Sequence, residues 1–189
     1  MKKERFVAFF DAVMAIIMTI AVLEFAVPGG AEWNDMKELS SQILVYAVSF
    51  FWLALMWINI HNLWYYVETI SRGVIIINII LLFFASMIPF FVIYISKYFL
   101  EPLPQSLYGI DVIFITICNQ VSLEMLKKDN PQLSKAVKTL RQTITIDLII
   151  KIVGIIIGIT VYPPAVMISV MIALIILGFN FMMIKKKNQ

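Results

Sequence analysis

A chain of 189 residues that is 61% hydrophobic and only 14% charged carries too little polar surface for a water-soluble domain, since globular chains run near ~45–50% apolar and ~25% charged. Its mean hydropathy of +0.92 makes a bilayer the better solvent. The net charge of +3 is spread beside apolar runs rather than gathered on one face, which excludes a nucleic-acid interface, and the single Cys118 excludes an internal disulfide framework.

Crossing the hydrocarbon core takes ~20 mostly apolar residues. On that ruler the sequence is all-α: one polytopic membrane domain, 1–189, with six spans. They fall at Val7–Val27, Ile43–Leu63, Val74–Ile95, Leu107–Leu123, Ile144–Val161 and Ala165–Ile184. The first follows Met1-Lys2-Lys3 and imitates a secretory signal peptide, but Asp11 interrupts it and five more apolar runs follow, so it reads as a retained span. Pro28-Gly29-Gly30 ends it.

At ~100° per residue, Ala12, Ile16, Thr19, Ile20, Leu23 and Val27 share one stripe of this helix, and Asp11 groups with Ala15, Met18 and Val22 on another face. A charge at the bilayer centre costs roughly 2.5–3.5 kcal/mol on insertion scales. Asp11 therefore either reaches headgroup-level water beside a snorkelling Arg5 or sits in a polar knot binding the helix to its neighbours. Either way it lies off the stripe. The Thr19 hydroxyl can bond a carbonyl one turn back.

The second span ends in Trp57, Asn59, His61, Asn62 and Trp64. An interfacial aromatic belt accounts for Trp64, Tyr65 and Tyr66. It does not account for Trp57 and His61 at i, i+4 on one face. Asp11, His61 and Asn78 come at matching depth, so an Asp–His–Asn network is geometrically open. His61 lacks a second ligand at metal-binding spacing and reads as a structural hydrogen-bonder.

In the third span Pro89 predicts a kink. Asp111, near the outer end of the fourth, reads as interfacial. The hydrophilic stretch 124–143, with Pro131-Gln132-Leu133-Ser134 and its lysines, reads as a short amphipathic cytoplasmic helix or as a solvated linker lying on anionic headgroups. Asp147 and Lys151 stand i, i+4 with the acid first, a self-neutralising pair that needs no outside partner. Tyr162-Pro163-Pro164 makes a tight turn between the last two spans.

Twelve of the fifteen basic residues fall on the side of both termini and the even-numbered connections, and only Lys37 and Lys97 on the other. The positive-inside rule then places both termini in the cytoplasm. No phosphate loop, zinc-binding His pair, Ser/His/Asp arrangement or Thr-Val-Gly-Tyr-Gly filter is present, so an enzyme is not expected. No repeat of the first helix occurs, so any symmetric site requires several copies of the chain. A channel, a secondary or proton-coupled transporter and a non-transporting assembly subunit remain open.

The residues Arg5-Phe6-Val7-Ala8-Phe9-Phe10-Asp11 resemble the Arg-x-x-x-Phe-Ser-Asp signature that opens the first helix in the transmembrane protein 175 family of potassium channels. Trp57-x-x-x-His61 is similar to that family's second motif, and Asn78 with Leu81 to Phe90 to its third helix. Phe10 departs from the pattern, standing where the family has serine.

The resemblance implies a potassium-selective channel of the bacterial inner membrane, a homotetramer whose first helices line a central pore. It carries no cofactor beyond permeant K+. By position Ile16 matches the hydrophobic constriction, Ile20 and Leu23 the next apolar rings, and Thr19 a hydroxyl ring near which K+ passes. Arg5, Asp11, Trp57 and His61, with Asn78, match the packing network around the pore helix.

Overall fold

The computed structural model describes residues 2–30, 32–33 and 36–187, with backbone alone for 37–38 and 179–187. Its regular elements are all helical: α1 (Lys3–Ile20, continued by a 3-10 turn Ala21–Glu24), α2 (Met36–Trp64), α3 (Arg72–Ala85), α4 (Ile88–Lys97), α5 (Pro102–Asp129), α6 (Ser134–Thr160) and α7 (Ala165–Lys187). Five spans are long and apolar enough to cross a bilayer, with α3 and α4 forming one of them, Arg72–Lys97. The following α7 is apolar from Ala165 to Gly178 except for Ser169, and is shorter than those five over its described side chains.

At the expected kink the helix is interrupted only at Ser86 and Met87, which keep right-handed helical geometry, so α3 and α4 remain one span. Pro89 sits in the first turn of α4, where its missing N–H has no helical partner to lose. The Ser86 hydroxyl donates to the Phe83 carbonyl at 2.7 Å, taking up an acceptor that the interruption leaves open.

The separate amphipathic helix expected within 124–143 does not form. α5 runs on to Asp129, a single 3-10 turn spans Pro131–Leu133, and α6 starts at Ser134. Neither Gly nor Pro occurs from Ser134 to Val153, so nothing stops the basic segment from continuing as the first turns of the membrane helix.

α5 is the most enclosed span and packs against α3, α4, α6 and α7, so the core is built around it. This placement corrects the reading of Asp111. Three residues after the fully buried Tyr108, it lies on the core face, 5% exposed, rather than at the interface. Trp64 is likewise core, 3% exposed against the edge of Phe6, while Tyr65 and Tyr66 remain exposed.

α6 and α7 approach closely because Gly154 and Gly158 lack side chains: a Cβ on Gly158 would stand 2.6 Å from Val166 Cγ2, and one on Gly154 would run into Ser169. The Asp147–Lys151 pair forms within α6 at 2.7 Å, both side chains buried. It does take outside partners. Lys151 Nζ also donates to Thr116 Oγ1 on α5 at 2.8 Å and lies 4.0 Å from the Trp52 ring centre on α2.

Two sets of contacts define the ends of the bundle. Lys3 Nζ donates to the carbonyls of Trp64 (3.2 Å) and Val67 (2.6 Å). The Asn130 amide accepts from Glu68 N (2.9 Å) and Thr69 N (3.0 Å). The N-terminus, the α2–α3 connection and the α5–α6 connection thus share one end. At the other, Gln42 accepts from Ala26 N at 3.1 Å and Ser41 donates to the Ser96 carbonyl at 3.3 Å.

Candidate pore helix and its anchoring knot

α1 buries one face and leaves the rest open, the Ile16 stripe together with Phe9, Ala15 and Val22. Phe6, Phe10, Met14, Ile17 and Ala21 recur at three- and four-residue intervals and are buried against α2 and α3. Ala12, Ile16, Thr19, Ile20, Leu23 and Val27 are exposed, Ile16 to 61%, Ile20 to 43% and Leu23 to 78%. The span containing α1 is the least enclosed of the five.

Asp11 lies between those faces, its side chain 28% exposed. Trp57 Nε1 donates to Asp11 Oδ1 at 2.8 Å, and His61 Nδ1 lies 3.2 Å from Asp11 Oδ2. The two rings, one turn apart on α2, stand 5.1 Å between centres. One carboxylate therefore meets two side chains one turn apart on α2, tying α1 to α2 at this height. The directed Trp57 hydrogen bond, with His61 beside the second oxygen, holds α1 to α2 at a defined register as apolar contact alone does not.

Neither Asn78 nor Arg5 joins this knot. Asn78 is fully buried and its Nδ2 donates to Ser122 Oγ on α5 at 2.7 Å and to the Val74 carbonyl at 2.8 Å, tying α3 to α5. Depth in the membrane was compatible with a contact to Asp11, but the side chain points around α3 the other way. Arg5 is exposed and makes no hydrogen bond or ion pair among the described residues. It precedes Asp11 by six residues, which at ~100° each sets it about 120° away around the helix.

Phe10 is 1% exposed and packs beside Phe6, whose ring centre is 6.4 Å away. It fills the α1 core face, so it adds to burial of the helix rather than to the polar knot. The Thr19 hydroxyl donates to the Ala15 carbonyl at 2.8 Å. Its donor is used and its oxygen lone pairs remain available on the exposed face.

Sequence reasoning missed Lys3, which staples the start of α1 to the end of α2, and the Thr116 and Trp52 partners of Lys151. Lys3 looked like one of a run of terminal cations, and no spacing rule links residues on different helices. Among the described residues no group of three His, Cys, Asp or Glu side chains could hold a metal ion.

A family model described as the endosomal/lysosomal potassium channel TMEM175 matches residues 5–89, from the start of α1 to Pro89 in the first turn of α4. A potassium channel of Chryseobacterium sp. (strain P1-3) is 31% identical over 140 residues, covering 72% of this chain and 73% of that protein. A potassium channel of Streptomyces collinus is 29% identical over 101 residues, 51% of this chain and 49% of its own. In fold, the chain is similar to the crystal structure of a lysosomal potassium-selective channel TMEM175 homolog from Chamaesiphon minutus, with a TM-score of 0.74 at 20% identity over 95% of this chain and 96% of that one.

Proposed function

The chain belongs to the TMEM175 family of potassium channels, and from that premise we propose that it conducts K+ passively through a central pore lined by α1 from each of several copies, four on the family pattern. It lies in the bacterial inner membrane with both termini in the cytoplasm, where the basic end of the bundle meets the cytoplasmic leaflet. The observation that carries the pore assignment is the exposed Ile16–Leu23 stripe on a helix whose rotation is locked by Asp11. A helix that merely faced lipid would have no use for that lock.

Copies of Ile16, followed by Ile20 and Leu23, narrow the axis and dewet it in the closed state, and a small rotation or splaying of α1 rehydrates it. The Thr19 oxygens replace part of the water shell of the passing ion. Stripping water costs less for K+ than for smaller Na+, which sets the preference. K+ is the permeant species, and no resident cofactor takes part.

Ile16→Asn should raise K+ leak from reconstituted liposomes, because a polar ring holds water in the constriction. Unchanged flux in a correctly assembled variant would remove Ile16 from the pore. A coupled transporter is the second reading, and the interrupted α3–α4 span is the feature in its favour. It calls for paired interruptions in corresponding halves, and single-channel currents under K+, Na+ and Cs+ gradients separate it from a channel.

A further inference from the structure

On the flank of α5 and α6 lies an open groove of about 560 Å3, bordered by Ile117, Gln120, Val121, Glu124, Lys128 and Leu148. That is within the ~300–1,000 Å3 usual for small-molecule sites. Its chemistry changes steadily along the helix axis. At the end shared with the α5–α6 connection, Lys128, Lys138 and Arg141 are exposed. Lys138 and Arg141 are one turn apart on α6, and Arg141 reaches Glu124 at 3.3 Å, which brings that face of α6 beside the groove. Glu124 also holds Lys127 at 3.3 Å. Asp129 turns away and accepts from the Ser71 amide at 3.2 Å. One carboxylate thus stands among four cations, leaving a net positive mouth.

Deeper in, Gln120 donates to Thr145 at 3.4 Å, closing the polar zone. Val121 faces the groove between Glu124 and Gln120, and deeper than Gln120 only the apolar Ile117 and Leu148 line it; Ile117 and Val121 are each about 40% exposed (40% and 41%). From Lys128 to Ile117 the helix rises roughly 16–17 Å at ~1.5 Å per residue, close to one leaflet's share of the ~30 Å hydrocarbon core.

We propose that this groove is a binding site for one anionic phospholipid, its phosphate among Lys128, Lys138 and Arg141 and one acyl chain along Ile117, Val121 and Leu148. The order of the chemistry carries the assignment: cationic at headgroup level, then Gln120 with Val121 beside it, then apolar side chains alone at Ile117 and Leu148. A helix of a neighbouring copy brings the same cations to the same level and is repelled there, whereas an anionic amphiphile complements both zones.

The test is native mass spectrometry of the purified full-length channel with added phosphatidylglycerol or phosphatidylcholine of identical chains. The wild type should retain phosphatidylglycerol in preference. K128Q/K138Q changes exposed side chains only and should weaken that retention about 25-fold, at about fivefold per lysine near a charged surface. Val121→Trp, which fills the apolar strip, should weaken retention of both lipids without altering the cations. Equal retention of the two lipids by the wild type would overturn the proposal, as would undiminished phosphatidylglycerol on K128Q/K138Q. If either variant instead lost protomers from the assembly with lipid occupancy per protomer unchanged, the groove would be a contact between copies and the proposal would fall.

Discussion

At the scale of single residues, one carboxylate and the two α2 side chains beside it tie α1 to α2, and on the proposed function they hold its rotation. Trp57→Phe keeps the aromatic bulk and deletes only the indole N–H, leaving Asp11 Oδ1 without its donor at 2.8 Å. Interhelical hydrogen bonds in membranes are worth about 0.6 kcal/mol on average and up to ~1.7, and Asp11 keeps some access to water, so the loss should be about 1 kcal/mol. A small drop in melting temperature in detergent should accompany a larger change in open probability, because the freed helix can turn its stripe. If open probability stayed at the wild-type value while stability fell, Asp11 would be a packing residue with no hold on the pore. The sequence made this contact readable because Trp57 and His61 lie one turn apart on one helix, and because an acid inside an apolar run demands a partner. It could not place Asn78 or Arg5, since depth along a helix follows from counting residues but the direction of a side chain depends on which neighbours the bundle supplies.

At the scale of elements, α6 shows what the i, i+4 rule captures and what it omits. The Asp147–Lys151 pairing was legible from spacing alone; its attachment to Thr116 and Trp52 was not, because these come from helices that only the tertiary fold brings near. Lys151→Met removes the charge, keeps most of the chain over Trp52, and strands Asp147 in a buried site. Breaking one side of a buried pair costs roughly 3–5 kcal/mol, so the variant should melt far below the wild type or assemble poorly. The double change D147L/K151M removes both charges and should recover most of the loss, as apolar replacement of buried pairs often does. Thermal unfolding of both variants in detergent distinguishes these outcomes; a double variant no more stable than the single one would mean the pair contributes net attraction beyond mutual neutralisation. The start of α6 was misjudged for a related reason. Charge density suggested a separate element on the membrane surface before the span, yet polarity alone does not end a helix, and α6 runs unbroken from Ser134. Pro89 shows the converse, since a missing N–H inside an apolar run interrupts one span between α3 and α4.

At the scale of the whole molecule, the arrangement of ends follows from contacts that the sequence could not list but whose outcome it anticipated. Lys3, Asn130 and the α2–α3 connection meet at one end, and that end collects most of the chain's cations. Insertion should then place it in the cytoplasm, because cations in short connections resist translocation. The position is well suited to cysteine labelling, since the native Cys118 is buried. Gly29 has no atom within 4 Å of where a Cβ would stand, so Gly29→Cys adds a thiol at the opposite end without displacing anything. Gln132→Cys adds one in the exposed turn before α6. A membrane-impermeant maleimide applied to intact spheroplasts should modify the Gly29→Cys channel at once and the Gln132→Cys channel only after the membrane is opened. The reverse pattern would put the basic end outside, against the charge bias that predicts its place. It would also move the lysine-rich mouth of the α5–α6 groove to the outer leaflet. Equal labelling of both thiols in intact cells would show that the chain inserts in two orientations, leaving the twelve basic residues on one side too weak a signal to fix one.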